Sequence, residues 1–394
     1  MMPVGNPAIG EDFIDRTQEI KQILTALKKD NILLAAPRRF GKTSIMRKLE
    51  RELFGDGNVV IFLDVESVNS PQRFLSEIIM ELTDFKEFGI KSGFLSKIKN
   101  ICKLVQDNIE EIGIHTIFKA KLRSSVEESL KEGWIDKSDA IFKIINNSNL
   151  NVYFIFDEFP IAIKNMDSMD AKIFLSWFRR LRQTCTNVRF IVGGSVSIER
   201  VLRNLGGTNV INDFKTIRVN GFERDVALQI VKNVFEEEDW EYTPLLGNKI
   251  LDCVGESYIP YFVGIMLSAI MDEQIITLKV VDSDLIENVY NARLLGSKSK
   301  HYFDPYFDRL RIFYHEMDVK AAKAILGRIS TTESYPLELA FDAFQQETGS
   351  YDYEHFLDLI SDLENDFYIE INDGKLNFYS KMLKDWWRIF HGKV

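Results

Sequence analysis

Short, continuously apolar runs alternate with amphipathic stretches through the first half of this chain. Asn31–Ala36, Val59–Asp64, Val152–Phe156 and Val188–Val192 are the four apolar runs. Their length and uniformity predict strands buried on both faces. Between them, Glu19–Lys29 sets Ile20, Ile23, Leu24 and Leu27 at helical spacing, and Thr43–Phe54 and Ala171–Arg182 also read as helices. Pro71–Asn147 is helical in pattern but broken at Gly89, Gly93, Gly113 and Gly133, so it predicts several helices. Buried strands alternating with helices predict an α/β fold, a parallel sheet covered on both faces.

The strand-like runs stop after Val219. Glu223–Glu237, Leu245–Val254, Tyr261–Met271, Asp282–Tyr290 and Pro305–His315 read as helices, an all-α domain. Lys320–Arg328, Leu337–Thr348 and Tyr353–Glu364 continue in helical pattern. Phe367–Ile371, the turn Asn372-Asp373-Gly374 and Lys375–Tyr379 then carry a hairpin signature. Helices followed by a hairpin and a closing helix, Ser380–His391, predict a winged helix. The expected division is a sheet domain over residues 1–220, a helical lid over 221–317 and a winged helix over 318–394, in line with a chain of 394 residues.

Composition changes this picture little. Hydrophobic residues are 45% and charged residues 27%, ordinary for a soluble globular protein. No apolar run reaches the ~20 residues of a membrane-spanning helix. Met1–Gly10 lacks the basic start and apolar centre of a secretion signal. Cys102, Cys185 and Cys253 are scattered and odd in number, which reads as reduced thiols in a cytoplasmic protein. The net charge of −10 disfavours nucleic acid and anionic membrane as partners. Lys91, Lys97, Lys99 and Lys103 form a local basic cluster that reads as a solvated face.

The chemistry concentrates at the ends of the apolar runs. Ala36-Pro37-Arg38-Arg39-Phe40-Gly41-Lys42-Thr43 follows the first run and opens a helix. It matches the phosphate-loop pattern G-x-x-x-x-G-K-[ST] with Ala36 in place of the first glycine. Backbone N–H groups of such a loop and the helix N-terminus surround phosphates. Gly41 permits close backbone approach, Lys42 neutralises β/γ oxygens, and the Thr43 hydroxyl, next to Ser44, can ligate Mg²⁺. The third run ends in Asp157-Glu158. Asp157 suits a water-mediated hold on Mg²⁺, and Glu158 suits polarising an attacking water, so hydrolysis is favoured over transfer. The fourth run ends in Gly193-Gly194-Ser195, where Ser195 either senses a γ-phosphate or belongs to a plain turn into the next helix.

With these segments placed, the chain resembles the archaeal-type AAA ATPases of the STAND group, signal-transduction ATPases with numerous domains. Phe13-Ile14-Asp15-Arg16-Thr17-Gln18-Glu19-Ile20 is similar to the family's F-x-G-R-x-x-E-L box beside the adenine, with Asp15 where the box has glycine. The paired arginines Arg38-Arg39 resemble those of family loops. Val152–Glu158 looks like the Walker B strand, and Phe190–Ser195 like the sensor-1 strand. Gly255–Phe262 is similar to the G-x-P lid motif through Pro260, and Phe378–Trp387 to the close of the C-terminal winged helix. The resemblance implies a P-loop NTPase sheet with lid and winged helix, and ATP and Mg²⁺ as ligands. It implies nucleotide contacts at Ala36–Ser44, Phe13, Arg16 and Pro260, metal contacts at Thr43 and Asp157, and catalytic roles for Glu158, Lys42 and Ser195. Arg179, Arg180, Arg182, Arg200 and Arg203 are available as arginine fingers, though each also reads as an ordinary ion-pair residue.

Three readings of function follow. The first is an ATPase whose turnover switches the orientation of lid and winged helix toward a protein partner or a second subunit. The second is a DNA-binding initiator of the origin-recognition type. From Asp318 to Val394, however, 8 Lys and Arg face 14 Asp and Glu, and a DNA-reading module should carry a basic face. The third is a scaffold that keeps ATP without hydrolysing it. Phe378, Tyr379, Trp386, Trp387 and Phe390 read as core packing rather than a partner site.

Overall fold

The computed structural model describes residues 8, 13–55, 57–84, 115–148, 150–194, 198–206 and 209–392. The basic cluster Lys91–Lys103, Cys102 and Ser195 lie outside the described residues. The chain forms two compact units. One comprises Arg16–Ala36 and Lys42–Val219. The other comprises Pro37–Gly41 and Asn220 onward, together with the described residues up to Asp15.

The first unit is built on a five-stranded sheet of order β2-β3-β4-β1-β5. Its strands are β1 (Asn31–Ala35), β2 (Asn58–Asp64), β3 (Asn151–Asp157), β4 (Val188–Gly194) and β5 (Phe214–Arg218). Every pair is parallel, with Ile32 opposite Ile191, Val152 opposite Val188, Asp64 opposite Asp157 and Asn31 opposite Phe214. The helices are α1 (Thr17–Ala26), α2 (Lys42–Leu53), α3 (Pro71–Asp84), α4 (His115–Leu130), α5 (Trp134–Asn146), α6 (Phe159–Asn165), α7 (Ser168–Thr184) and α8 (Ile198–Asn204). The four apolar runs are the four strands foreseen, buried almost throughout because helices cover both faces. The fifth strand, β5, is an edge strand. It exposes Lys215, Thr216 and Arg218 while burying Phe214 and Ile217, so it lacks the uniform apolar run of its neighbours.

Strand periodicity sorts the two faces. Phe154 and Phe156 on β3 and Phe190 on β4 share one face with Phe74 of α3 and Phe174 and Phe178 of α7. Phe154 stacks on Phe190 at 5.6 Å, Phe178 meets Phe190 edge-on at 4.9 Å, and Phe74 meets Phe156 at 4.9 Å. On the other face lies α2: a Cβ at Gly193 would come within 2.5 Å of the Met46 methyl. Asp157 has the parity of Ile155, so its side chain emerges on the α2 side of the sheet.

The second unit contains α9 (Arg224–Glu237), α10 (Pro244–Val254), α11 (Pro260–Thr277), α12 (Ser283–Asn288), a π-helical turn at Val289–Leu294 and α13 (Asp304–Phe313). After these come α14 (Glu316–Ser330), β6 (Tyr335–Pro336), α15 (Leu337–Thr348), α16 (Tyr353–Asn365), β7 (Ile369–Asn372), β8 (Lys375–Phe378) and α17 (Lys381–His391). The three short strands form an antiparallel sheet of order β6-β8-β7. The hairpin turn sits at Asp373-Gly374, both at positive φ (50° and 72°), which a two-residue turn of this kind demands. Ser380 caps α17, its hydroxyl accepting from the Leu383 N–H at 3.3 Å. Trp386 and Trp387 are fully buried, with Trp386 stacked on Phe303 at 5.5 Å. Phe378, Trp386 and Trp387 are therefore core, as expected, while Tyr379 and Phe390 are half-buried. Among the described residues, no helix is long and apolar enough to cross a membrane.

Candidate functional site

The sheet order places the end of β4 between the ends of β1 and β3. Ligands of open α/β sheets bind beyond the carboxyl ends of the strands, and there the first and third runs deliver their polar residues. Ala36, buried, follows β1. The loop then turns through Arg39 (φ 73°) and Gly41 (φ 86°). A Cβ on Gly41 would meet nothing, so glycine is needed there for its backbone freedom rather than for space. Arg39 holds the same left-handed conformation without that freedom, at a cost of about 1–2 kcal/mol that its surroundings must offset. Lys42 and Thr43 open α2, where the positive end of the helix dipole faces the loop. The buried Lys42 ammonium donates to the Ala36 carbonyl at 2.8 Å, closing the loop on itself.

Thr43 and Asp157, 114 residues apart, meet directly: the Thr43 hydroxyl donates to Asp157 Oδ2 at 2.5 Å. Asp157 Oδ1 accepts from the Glu158 backbone N–H at 3.0 Å. The Asp157 carboxyl is 4% exposed. Burial pushes its pKa up, the charge of Glu158 adds to this, and the Thr43 hydrogen bond and the Lys42 ammonium oppose it.

Glu158, the residue just before α6, lies in the left-handed region (φ 57°, ψ 30°), a strained backbone of the kind that clusters at functional sites. The turn carries its side chain toward β4. A Cβ on Gly194 would lie 3.3 Å from Glu158 Oε2 and 2.4 Å from Pro160 Cδ. The absence of a side chain at Gly194 thus leaves the Glu158 carboxylate its place. This role was hidden in the sequence, where Gly193-Gly194 signals only a strand end.

The other residues singled out by sequence are distributed as follows. Ser44 is buried in the first turn of α2 and Arg38 is exposed. Phe13 is half-buried. Arg16 is buried and paired with Glu19 at 2.8 Å. Asp15 has φ 53°, a left-handed conformation that glycine adopts freely and aspartate more readily than most other residues. Pro260 is the buried first residue of α11, a favourable position for its fixed φ. In the C-terminal unit, the Arg39 guanidinium stacks on the Tyr261 ring at 3.7 Å and donates to the Tyr302 carbonyl at 3.2 Å. Phe40, 1% exposed, packs against Phe367 at 5.3 Å and Tyr379 at 6.0 Å. None of these four partners was legible as such in the sequence.

Among the arginines available as fingers, Arg180 and Arg182 carry ion pairs within the sheet unit. Arg180 pairs with Asp139 at 2.6 Å. Arg182 is buried and donates to both carboxylate oxygens of Asp213, at 2.8 and 2.7 Å, and to the Val210 carbonyl at 2.5 Å. Burial pulls the Arg182 pKa down, with Asp213 working against it. Arg200 is also buried.

The donor set fits a nucleotide and Mg²⁺. Among the described residues, no group of three or more His, Cys, Asp and Glu could hold a metal by itself. Mg²⁺ is commonly held by one or two protein oxygens plus phosphates and water, and the adjoining Thr43 hydroxyl and Asp157 carboxylate are hard oxygen donors of that kind. The lysine, the loop and the helix N-terminus offer the positive field that phosphates need.

Searches by sequence find no match, either to a protein-family model or to a curated protein. Solved structures do match. A Walker-type ATPase of Pyrococcus abyssi is 18% identical, aligned over 98% of this chain and 99% of its own, with a TM-score of 0.61. The ORC2 protein of Aeropyrum pernix, solved as ADPNP–ADP complexes, is 12% identical over 94% of this chain and 92% of its own, with a TM-score of 0.53. At these identities the shared property is the fold. The chain shares the P-loop ATPase fold of these proteins, built here on a parallel five-stranded sheet covered by helices.

Proposed function

We propose that this chain binds ATP with Mg²⁺ and hydrolyses it, and that turnover switches the contacts made by its C-terminal helical and winged-helix parts. The observation that carries the reading is the junction of Thr43 with Asp157 at 2.5 Å, with Glu158 turned toward Gly194 beside it. Thr43, Asp157 and Glu158 thus lie together at one end of one sheet, which supports assigning them to metal and water.

The residues divide the work by their chemistry. Loop N–H groups from Ala36 to Ser44 and the Lys42 ammonium bind phosphate oxygens, with Phe13, Arg16 and Pro260 assigned to the base. Thr43 and Asp157 hold Mg²⁺, which when bound neutralises phosphate charge. Glu158 accepts a proton from the attacking water, and Ser195 hydrogen-bonds the phosphate being released. A carboxylate raised by burial, like that of Asp157, gains from a nearby cation, which supports its assignment to the metal. The division into a sheet domain (1–220), lid (221–317) and winged helix (318–394) belongs to the same proposal, as does action in the cytoplasm on a protein partner or a second copy.

The test is Glu158→Gln. It is expected to lower ATP turnover by about 10²-fold or more while leaving ATP affinity in place. Unchanged turnover in that variant would remove Glu158 as the base.

A further inference from the structure

The tip of the phosphate loop belongs to the C-terminal unit. Pro37–Gly41 cluster with Asn220 onward, while the flanks of the loop, Ala36 and Lys42, belong to the sheet unit. Phe40 has given up almost all its exposure to lie against Phe367, just before β7, and Tyr379, just after β8. Those two rings also meet each other edge-on at 4.9 Å, so the three form one aromatic cluster. Arg39 is fixed separately, by the Tyr261 ring at the start of α11 and the Tyr302 carbonyl, 263 residues along the chain. Its guanidinium adds a cation–π contact to a charge-assisted hydrogen bond. Tyr261 in turn lies near Tyr302, ring centroids 6.4 Å apart.

We infer that Arg39 and Phe40 are positioning residues, which make the shape of the phosphate loop depend on the hairpin Phe367–Tyr379 and on the start of α11. The left-handed backbone at Arg39 is unfavourable by itself and is held by these side-chain anchors. Gly41 and Lys42 follow directly, so loosening the anchors relaxes the segment whose N–H groups would surround phosphate. Linkage is reciprocal: whatever nucleotide gains from a docked tip, the hairpin gains from bound nucleotide. The inference rests on the nucleotide reading above and adds to it a specific route, through the loop itself, by which the occupancy of the site reaches the hairpin.

The full chain is titrated with ADP and Mg²⁺, as wild type and as Tyr379→Ala, Tyr379→Phe and Phe40→Leu. Hydrogen exchange of Phe367–Tyr379 is followed with and without ADP. ADP is expected to slow exchange in the wild-type hairpin. Tyr379→Ala is expected to weaken ADP binding by about two- to tenfold, the size of one aromatic contact. Tyr379→Phe, which keeps the ring, is expected to restore affinity, and Phe40→Leu combined with Tyr379→Ala to cost less than the sum of the two. A residue that served stability alone would lower the melting temperature without moving ADP affinity. Tyr379→Ala binding ADP as tightly as wild type, or a wild-type hairpin whose exchange ignores bound ADP, overturns the linkage while leaving the nucleotide site intact. A wild-type chain that binds neither ADP nor ATP overturns the site reading and the linkage together. Should Tyr379→Ala fail to fold, the exchange measurement on wild type decides.

Discussion

At the scale of single residues, Asp157 ties structure to pH. Its folded pKa lies above the ordinary aspartate value because it is buried. Between the ordinary value, about 3.9, and the raised one, the folded state holds more protons than the unfolded. Stability of the nucleotide-free protein is therefore lost as pH climbs through that window, and stays lost above it. Asp157→Asn, which can still accept from Thr43, is expected to raise the melting temperature at pH 7 and to flatten that pH dependence. It should also abolish the Mg²⁺ dependence of nucleotide binding. Thermal unfolding across pH 4–8 checks this, and a wild type that gains on the variant as pH rises would contradict it. Gly194→Ala tests the neighbouring carboxylate. A methyl 2.4 Å from Pro160 Cδ must displace α6 and Glu158 with it. Turnover should fall by about 10²-fold, as for a base misplaced by an ångström, with ATP affinity unchanged. The chemistry-bearing residues Lys42, Thr43, Asp157 and Glu158 were legible because each follows an apolar run at a recognisable spacing. The strained φ of Glu158, the clearance at Gly194 and the anchors of Arg39 were not. They depend on backbone angles and on contacts up to 263 residues distant, which no local pattern encodes.

Among the elements, legibility followed burial. The largely buried strands β1 to β4 read as apolar runs, and the hairpin read through its Asp-Gly turn. β5 was missed because an edge strand buries only Phe214 and Ile217. α6 was missed because seven residues, mostly buried, carry no helical periodicity. α11 continues to Thr277, beyond the foreseen Met271, and is buried on all sides over its first half, so it shows little amphipathic contrast. The closing helix offers a direct test of element packing. Trp387 is fully buried against Phe378, Phe307 and Trp386, so Trp387→Ala should cost about 3–5 kcal/mol in chemical denaturation. A loss below about 1 kcal/mol would contradict that packing.

At the scale of the molecule, charge bears on the choice of partner. The fold is shared with an ORC2 protein, yet the chain carries −10 overall and 8 Lys and Arg against 14 Asp and Glu from Asp318 on. Binding of the full chain to duplex DNA should therefore be no tighter than about 10⁻⁴ M near physiological salt, the weak end of non-specific association. A tight, salt-dependent shift would revive the initiator reading. The central claim, that this molecule hydrolyses the ATP it binds, is tested most directly by identifying the nucleotide left on the protein. Wild type and Glu158→Gln are incubated with Mg²⁺ and ATP, freed of unbound nucleotide, denatured, and the released nucleotide separated by chromatography. ADP is expected from wild type and ATP from Glu158→Gln; ATP alone from wild type, or ADP in equal yield from both, would contradict hydrolysis through Glu158.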